Sequence, residues 1–184
     1  MRRWGPQLEE LMTRRYGSLV AFARMATGDP ANAEDLVQDA LVETFSRRRS
    51  FADAGAAEAY TRRVIASRAI DRGRRRLTER KALRRIGVAE DDTGAGPAVL
   101  VEHRTDVARA LAALTPRERV CVVLRYLEHL SVEETADAVG LATGSVKRYV
   151  HDGLAKLAVA LGEPPHEGGP VPPRESAWVV RREA

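Results

Sequence analysis

Apolar residues recur every three or four positions through most of this sequence, and a period of this kind predicts an all-α fold. The first such stretch runs from Leu8 to Ala26. Gly28 suits the position just after a helix, Asp29 suits the capping position of the next one, and Pro30 suits its first turn. The sequence therefore predicts two helices that meet at a short, defined break.

The second predicted helix has two unlike faces. Its apolar face consists of Leu36, Val37, Ala40, Leu41 and Phe45, and its opposite face carries Glu34, Asp35, Gln38, Asp39 and Glu43. No Lys or Arg occurs between Asp29 and Glu43. Because carboxylates and phosphates repel each other, this face is better placed to bind a basic protein surface than DNA.

A third helix is predicted from about Ala56 to Arg76, after a loop that ends near Gly55. It is strongly basic: positions 62–85 hold eleven Lys and Arg residues against two acids. A segment with this charge repels itself unless a polyanion neutralises it. Contact with phosphates is therefore favoured over a face that is merely solvated.

Positions 87–101 lack helical periodicity and contain turn-forming residues, so they predict a linker. Helices resume near Asp106. Positions 115–118 and 131–134 both have the capping-box pattern, a hydroxyl residue followed three positions later by glutamate, and each opens a predicted helix. The second half of the chain therefore predicts a separate helical domain.

The segment 131–157 has the plan of a helix-turn-helix. Ala136 is small enough for two helices to cross closely, Gly140 permits the turn, and Val146 can anchor the last helix, which Thr143 is predicted to cap. Five polar side chains then face outward where a recognition helix enters the major groove: Thr143, Ser145, Lys147, Arg148 and His151. The simpler alternative is a helical hairpin with a solvated basic face.

Composition narrows the class of protein. The net charge is +4, and of the 30 Lys and Arg residues only three are lysines. Arginine suits phosphates and base edges, although codon bias in a GC-rich genome would give the same excess. Cys121 is the single cysteine, which excludes an intrachain disulfide or a cysteine-based metal site. No stretch approaches the roughly 18 apolar residues of a membrane span, so we expect a cytoplasmic protein without membrane insertion.

If the protein were an enzyme, the acidic helix would be compatible with a metal-dependent nuclease. Glu34, Asp35 and Asp39 are spaced so that carboxylates one turn apart could share a metal ion. No histidine or third ligand lies at metal spacing nearby, and the sequence offers no candidate general base. We therefore predict no metal, no cofactor and no catalytic residue.

Three motifs stand in the order found in extracytoplasmic-function (ECF) sigma factors, which are sigma-70-type subunits of RNA polymerase. Positions 33–41 resemble region 2.2 of that family, and positions 59–72 resemble regions 2.3 and 2.4. Positions 114–119, together with the helix-turn-helix, are similar to region 4. The resemblance covers about residues 8–161.

This resemblance implies a promoter-specificity subunit and not an enzyme. Its implied partners are promoter DNA and core RNA polymerase, through the β′ clamp helices and the β flap, with an anti-sigma factor as a further candidate. Polymerase docking is implied for Glu34, Asp35, Gln38, Asp39 and Glu43. Contact with the −10 element is implied for Arg62, Arg63, Ser67, Arg68, Arg72, Arg74, Arg75 and Arg76, and contact with the −35 element for the five outward side chains of the last helix.

Two places depart from the family pattern. Ser67 stands where many relatives have asparagine, and Tyr149 and Asp152 stand where arginine is common. A carboxylate repels phosphate, so we expect Lys147 and Arg148 to carry most of the contact with the −35 element.

The resemblance also divides the chain. Residues 7–86 are expected to form a region 2-like domain for core polymerase and the −10 element, and residues 105–161 a region 4-like domain for the −35 element. Residues 87–104 are the expected linker. Residues 162–184 are an expected disordered tail that contains Trp178. The competing reading is a conventional helix-turn-helix regulator that binds duplex DNA without docking on core polymerase.

Overall fold

The computed structural model describes residues 5–46, 51–85 and 106–162, and these ranges are all-helical, which confirms the predicted fold class. The eight α-helices in these ranges are α1 (Gly5–Glu10), α2 (Tyr16–Thr27), α3 (Ala33–Ser46), α4 (Ala54–Arg85), α5 (Asp106–Ala112), α6 (Pro116–Val122), α7 (Val132–Val139) and α8 (Thr143–Leu161). The predicted linker at 87–104 and, apart from Gly162, the predicted tail at 162–184 lie outside the described residues.

Short non-α turns join several of these helices. A π-helical turn at Leu11–Arg15 links α1 to α2, and another at Val123–Leu127 extends α6. A 3-10 turn at Pro30–Asn32 precedes α3. The Asp29 side chain accepts a hydrogen bond from the Ala31 backbone N–H, 3.1 Å away, which confirms its predicted capping role.

Helix α4 is longer at both ends than the sequence predicts. It begins at Ala54, so Gly55 is helical, and the Asp53 carboxylate accepts a hydrogen bond from the Ala56 backbone N–H at 2.8 Å. It continues to Arg85, nine residues beyond the predicted end at Arg76. Apolar periodicity fades after Ile70, but Arg, Leu, Glu, Lys and Ala are strong helix formers and keep the segment helical.

The first four helices pack around a core centred on Phe22, Leu36 and Ile65, each 1 % exposed or less. The apolar face predicted for α3 is buried here, as expected. The core faces of α2 and α3 both lie against the first half of α4, which therefore forms the spine of this group.

The other four helices form the helix-turn-helix domain. Both predicted capping boxes are present, Thr115 with Glu118 and Ser131 with Glu134. Gly140 ends α7 in the left-handed conformation, with φ at 67°. Cys121 of α6 is fully buried, and burial raises the pKa of its thiol to about 12, so this cysteine is unreactive.

The two groups of helices are in contact with each other. Helix α6 packs against α2 and α4, and α7 packs against α4. Leu124 and Leu130 belong to the same buried apolar cluster as Phe22 and Ile65. The sequence predicts two domains but does not predict that their cores are continuous.

Candidate polymerase and nucleic-acid interfaces

The acidic face of α3 is divided between solvent and the protein's own α4. Glu34, Asp35 and Gln38 are exposed. Val42 follows Gln38 by one helical turn and is 68 % exposed, which is unusual for an apolar side chain on a packed helix. Sequence reasoning missed Val42, although its spacing of four from Gln38 places it on the same face.

The other predicted docking acids pair with α4. The Arg72 guanidinium lies 2.7 Å from a carboxylate oxygen of Asp39. The Arg68 guanidinium lies 2.8 Å from Glu43 and 3.3 Å from Asp39. Two residues predicted to bind polymerase and two predicted to bind DNA therefore hold α3 against α4.

Ion pairs within the protein compensate part of the charge of α4, so its self-repulsion is smaller than the sequence alone indicates. Besides Arg68 and Arg72, Arg76 pairs with Asp29 at 2.5 Å. Arg62 pairs with Glu58 at 2.8 Å and with Glu128. Linear charge counting fails here because most of the partner acids are distant in sequence.

Some predicted −10 residues of α4 are exposed to solvent. Ser67, Arg74 and Arg75 are exposed, and within the described residues no ion pair holds either of these two arginines. Arg63 is half-buried. The structure thus leaves the stretch from Ser67 to Arg75 as the part of the predicted −10 surface with accessible donors.

The two acids that pair with Arg62 have shifted pKa values. Burial raises the pKa of the Glu128 carboxyl above its ordinary value, and the Arg62 charge only partly opposes that rise. For Glu58 burial acts in the same direction, but hydrogen bonds from Arg15 and Arg62 outweigh it and lower the pKa of this carboxyl. Glu58 therefore holds two arginines as a carboxylate.

The predicted recognition helix has its polar side chains in place. Thr143, Lys147, Arg148 and His151 are exposed on α8, and Ser145 is half-buried. Val146 is fully buried and packs with Ala136 and Cys121, as the sequence predicts for an anchor. The five predicted −35 residues are thus brought together at one end of α8.

The prediction that Thr143 caps α8 is wrong. Ala142 occupies the capping position, with an extended backbone, and makes no side-chain capping bond. Its carbonyl oxygen accepts hydrogen bonds from Ser145 and Val146. Thr143 is therefore the first helical residue, and it is exposed.

The departures at Tyr149 and Asp152 have a structural context. The Arg117 guanidinium donates to the Tyr149 hydroxyl at 3.0 Å, and the Arg148 guanidinium lies 5.1 Å from the centre of the Tyr149 ring. These cations lower the pKa of Tyr149, chiefly through the Arg117 hydrogen bond. Asp152 lies 3.4 Å from the His151 ring nitrogen. The Tyr149 ring thus packs against the Arg148 guanidinium and helps to hold it in place.

Two contacts fix α8 on α6. The Lys156 ammonium lies 2.7 Å from the Glu118 carboxylate. A Cβ atom on Gly153 would lie 2.8 Å from a methyl group of Val122, so a larger residue there would force Val122 or the helices to shift. Burial raises the pKa of Glu118, but Lys156 and Thr115 outweigh it, and the net pKa is lowered.

Other kinds of site find no support in the described ranges. No group of three His, Cys, Asp or Glu side chains there could hold a metal ion. No helix in the same ranges is long and apolar enough to span a membrane.

Comparisons with known proteins match both halves of the chain. Residues 11–78 match the family model for sigma-70 region 2, and residues 104–157 match that for sigma-70 region 4. The RNA polymerase sigma-E factor of Streptomyces avermitilis is 36 % identical over 158 residues, which cover 84 % of this chain and 85 % of the relative. The sigma-E factor of Streptomyces coelicolor is 34 % identical over the same length, covering 84 % and 86 %.

A solved structure resembles most of the chain. It is the sigma factor RpoE of Bartonella quintana in complex with the anti-sigma factor NepR. The TM-score is 0.60 at 25 % identity, and the match covers 86 % of this chain and 98 % of the other.

Proposed function

We propose, from the premise that this chain belongs to the ECF family of sigma-70-type RNA polymerase sigma factors, that three separate surfaces of it carry out promoter recognition. The chain is an RNA polymerase sigma factor, which binds core polymerase and promoter DNA and directs the start of transcription. Residues 7–86 form the region 2-like domain and residues 105–161 the region 4-like domain. The single observation that carries the assignment of surfaces is the division of α3 into an exposed acidic face and a face paired with α4.

The polymerase surface is the exposed face of α3. Glu34, Asp35 and Gln38 form a polar rim beside Val42, and protein interfaces commonly have an apolar centre with such a rim. This face docks on the β′ clamp helices. Asp39 and Glu43 contribute indirectly, because their ion pairs with α4 set the position of the −10 surface.

The −10 surface is the exposed stretch of α4. Ser67, Arg74 and Arg75 offer donors to the backbone and to bases that have left the stack, and the cost of unstacking is a few kcal/mol per step. Arg68, Arg72 and Arg76 belong to the same surface and are held in position by ion pairs with Asp39, Glu43 and Asp29, and Arg63 is half-buried beside them. Arg62 needs a change of partner before it reaches DNA, since Glu58 and Glu128 hold it.

The −35 surface is the N-terminal part of α8. Lys147 and Arg148 supply the charge, while Thr143, Ser145 and His151 supply shorter polar contacts in the major groove. The region 4-like domain also docks on the β flap. The chain acts in the cytoplasm and without catalysis of its own, and a structure of similar fold that holds an anti-sigma factor supports such a factor as a further partner.

Charge reversal at Asp35 is the test of polymerase docking. We expect the Asp35→Arg variant to lose co-elution with core RNA polymerase in gel filtration at moderate salt, at least a tenfold loss of affinity, because it places a cation on the docking face. Glu9→Arg is the matched control, since Glu9 is an exposed acid on α1 and the charge change is the same. Co-elution of both variants would contradict the α3 assignment.

The same experiment separates the competing functions. If the wild-type chain elutes apart from core polymerase but binds duplex DNA tightly by itself, a conventional helix-turn-helix regulator becomes the better account. Asp39→Arg is not used, because it would also break the pairs with Arg68 and Arg72.

Removing the cations of α8 tests the −35 surface. For the Lys147→Ala/Arg148→Ala variant we expect weaker binding to a mixed-sequence duplex, with the slope of log K against log salt reduced by about 2, or about one per phosphate contact. The measurement is fluorescence anisotropy of a labelled duplex over a salt series. Arg109→Ala, which removes an exposed arginine of α5, is the control. An unchanged slope in the double variant would show that these cations do not contact phosphate.

A further inference from the structure

Contacts with other helices hold the ring of Tyr149 in place on α8. The ring packs against the buried cluster of Cys121 from α6, Ala136 from α7 and Val146, each 5 % exposed or less. The Arg117 guanidinium of α6 donates to the Tyr149 hydroxyl at 3.0 Å. Because α6 and α7 both take part, the ring has a fixed position relative to the helix that we assign to the −35 element.

Arg148 lies against this fixed ring. The central carbon of its guanidinium is 5.1 Å from the centre of the Tyr149 ring. An arginine and a carboxylate four positions apart on a helix commonly form an ion pair, and Asp152 stands at that spacing. Within the described residues no ion pair joins Arg148 to Asp152, and the Asp152 carboxylate lies 3.4 Å from the His151 ring nitrogen instead. Among the described contacts, the Tyr149 ring is therefore the one that orients Arg148.

Two cations share the Tyr149 ring. The Arg117 guanidinium carbon lies 5.8 Å from the ring centre, and in the described ranges neither Arg117 nor Arg148 forms an ion pair with a carboxylate. Like charges repel, so the arrangement becomes more stable when an electron-rich group binds beside it. DNA supplies such groups, both as phosphates and as acceptor atoms on the edges of bases.

The orientation of a guanidinium matters more for a base than for a phosphate. Guanine presents O6 and N7 in the major groove as two fixed acceptors, and arginine meets both only when the plane of its fork is close to that of the base pair. Stacking on an aromatic ring restricts this plane. Arginine has five N–H donors, so the two that meet guanine leave others for a phosphate beside the groove.

We propose that Tyr149 is a specificity-determining residue of the −35 surface, because its ring holds the Arg148 guanidinium in position to read the edge of a guanine. The inference rests on the proposed function of α8 and names the base that one of its side chains recognises. Removing the ring should weaken the discrimination between base pairs. It should leave the electrostatic part of DNA binding unchanged, since the number of cations on α8 stays the same.

Three variants separate the ring from the charge. Tyr149→Leu removes the ring and keeps an apolar side chain. Tyr149→Phe keeps the ring and removes the hydroxyl that accepts the hydrogen bond from Arg117. Arg148→Ala removes the guanidinium itself. Tyr16→Leu is the matched control, because Tyr16 is also a half-buried tyrosine and lies on α2 in the other domain.

The measurement is selection of duplexes from a random pool by the full chain reconstituted with core RNA polymerase, followed by sequencing of the bound duplexes. For the wild type we expect one position at which guanine is preferred about tenfold, and Arg148→Ala should abolish that preference. Tyr149→Leu should reduce it about threefold, in line with the loss of one exposed cation–π contact. Tyr149→Phe and Tyr16→Leu should retain it.

A salt series distinguishes positioning from a general loss of binding. With a labelled mixed-sequence duplex, the slope of log K against log salt should be the same for Tyr149→Leu and the wild type, because no cation is removed. A helix-turn-helix domain that no longer folded would lose much of this slope. Far-UV circular dichroism should show the same helix content in all the variants.

The inference is overturned if Tyr149→Leu keeps the full base preference of the wild type, or if the guanine preference survives in Arg148→Ala. An equal loss in Tyr149→Phe and Tyr149→Leu would also contradict it, because the ring would then not be what orients Arg148. Co-elution of the wild-type chain with core polymerase is measured on the same samples. Its failure would overturn the proposed function itself, whereas intact co-elution with an unaltered base preference in Tyr149→Leu would count against this inference alone.

Discussion

Replacing Arg119 with alanine is expected to lower the free energy of unfolding by about 1–3 kcal/mol, because the carbonyl oxygen of Leu114 loses its buried donor, whereas that of Leu111 keeps the Leu114 backbone N–H. Burial and the nearby charge of Arg76 lower the pKa of Arg119 to about 10, so the side chain remains a cation at neutral pH. The measurement is urea unfolding followed by far-UV circular dichroism.

Lysine should not restore the stability that the Arg119→Ala variant loses. A single ammonium cannot reproduce the planar fork with which arginine reaches carbonyl oxygens on several sides. Arg109→Ala is the control, because Arg109 is exposed and, among the described residues, its ion pair is with Asp106 of its own helix. An Arg119→Ala variant that unfolds at the wild-type urea concentration would show that these carbonyls are satisfied without Arg119.

Replacing Phe22 with alanine should cost about 3–5 kcal/mol of unfolding free energy, the usual range for a fully buried phenylalanine. Phe22 is 1 % exposed and lies in the cluster that both domains share. Loss of its ring leaves a cavity at the centre of the first domain and removes the surface on which the Arg62 guanidinium lies. The effect should be visible as a lower midpoint in urea unfolding.

Phe51 provides the comparison for Phe22. It is only half-buried and contacts Phe45 and Tyr60 at the edge of the core, so Phe51→Ala should cost clearly less. Equal losses in the two variants would mean that the buried cluster is not packed as the structure has it. An unchanged free energy of unfolding in the Phe22→Ala variant would show that this ring does not contribute to the core.

The ion pairs between α3 and α4 change how the charges of this protein are understood. Part of the acidic face of α3 and part of the basic face of α4 are occupied by each other, since Asp39 and Glu43 pair with Arg68 and Arg72 within the fold. What remains for polymerase is a smaller surface, made of Val42 and the polar rim of Glu34, Asp35 and Gln38 beside it. What remains for DNA on α4 is the stretch around Ser67, Arg74 and Arg75.

The sequence by itself determined the local structure. Helix faces follow from the spacing of apolar residues, and helix ends follow from groups only a few positions apart, as at Asp29, Ser131 and Gly140. The family resemblance also rests on local motifs, and the comparisons confirm it. Local signals were insufficient at Thr143, because a one-residue shift in the start of α8 depends on the backbone of Ala142.

Only the tertiary structure decided which charges are free and how the two domains meet. Arg62 and Glu128 are 66 positions apart, and nothing in the residues between them indicates that they pair. The close approach of Gly73 to Pro116 likewise depends on how α6 lies against α4. The hydrogen bond from Arg119 to the carbonyl oxygen of Thr27 depends on how α6 lies against α2. Periodicity and capping act within a few residues, whereas the packing of distant helices depends on the shape and charge of whole surfaces, which the linear pattern does not record.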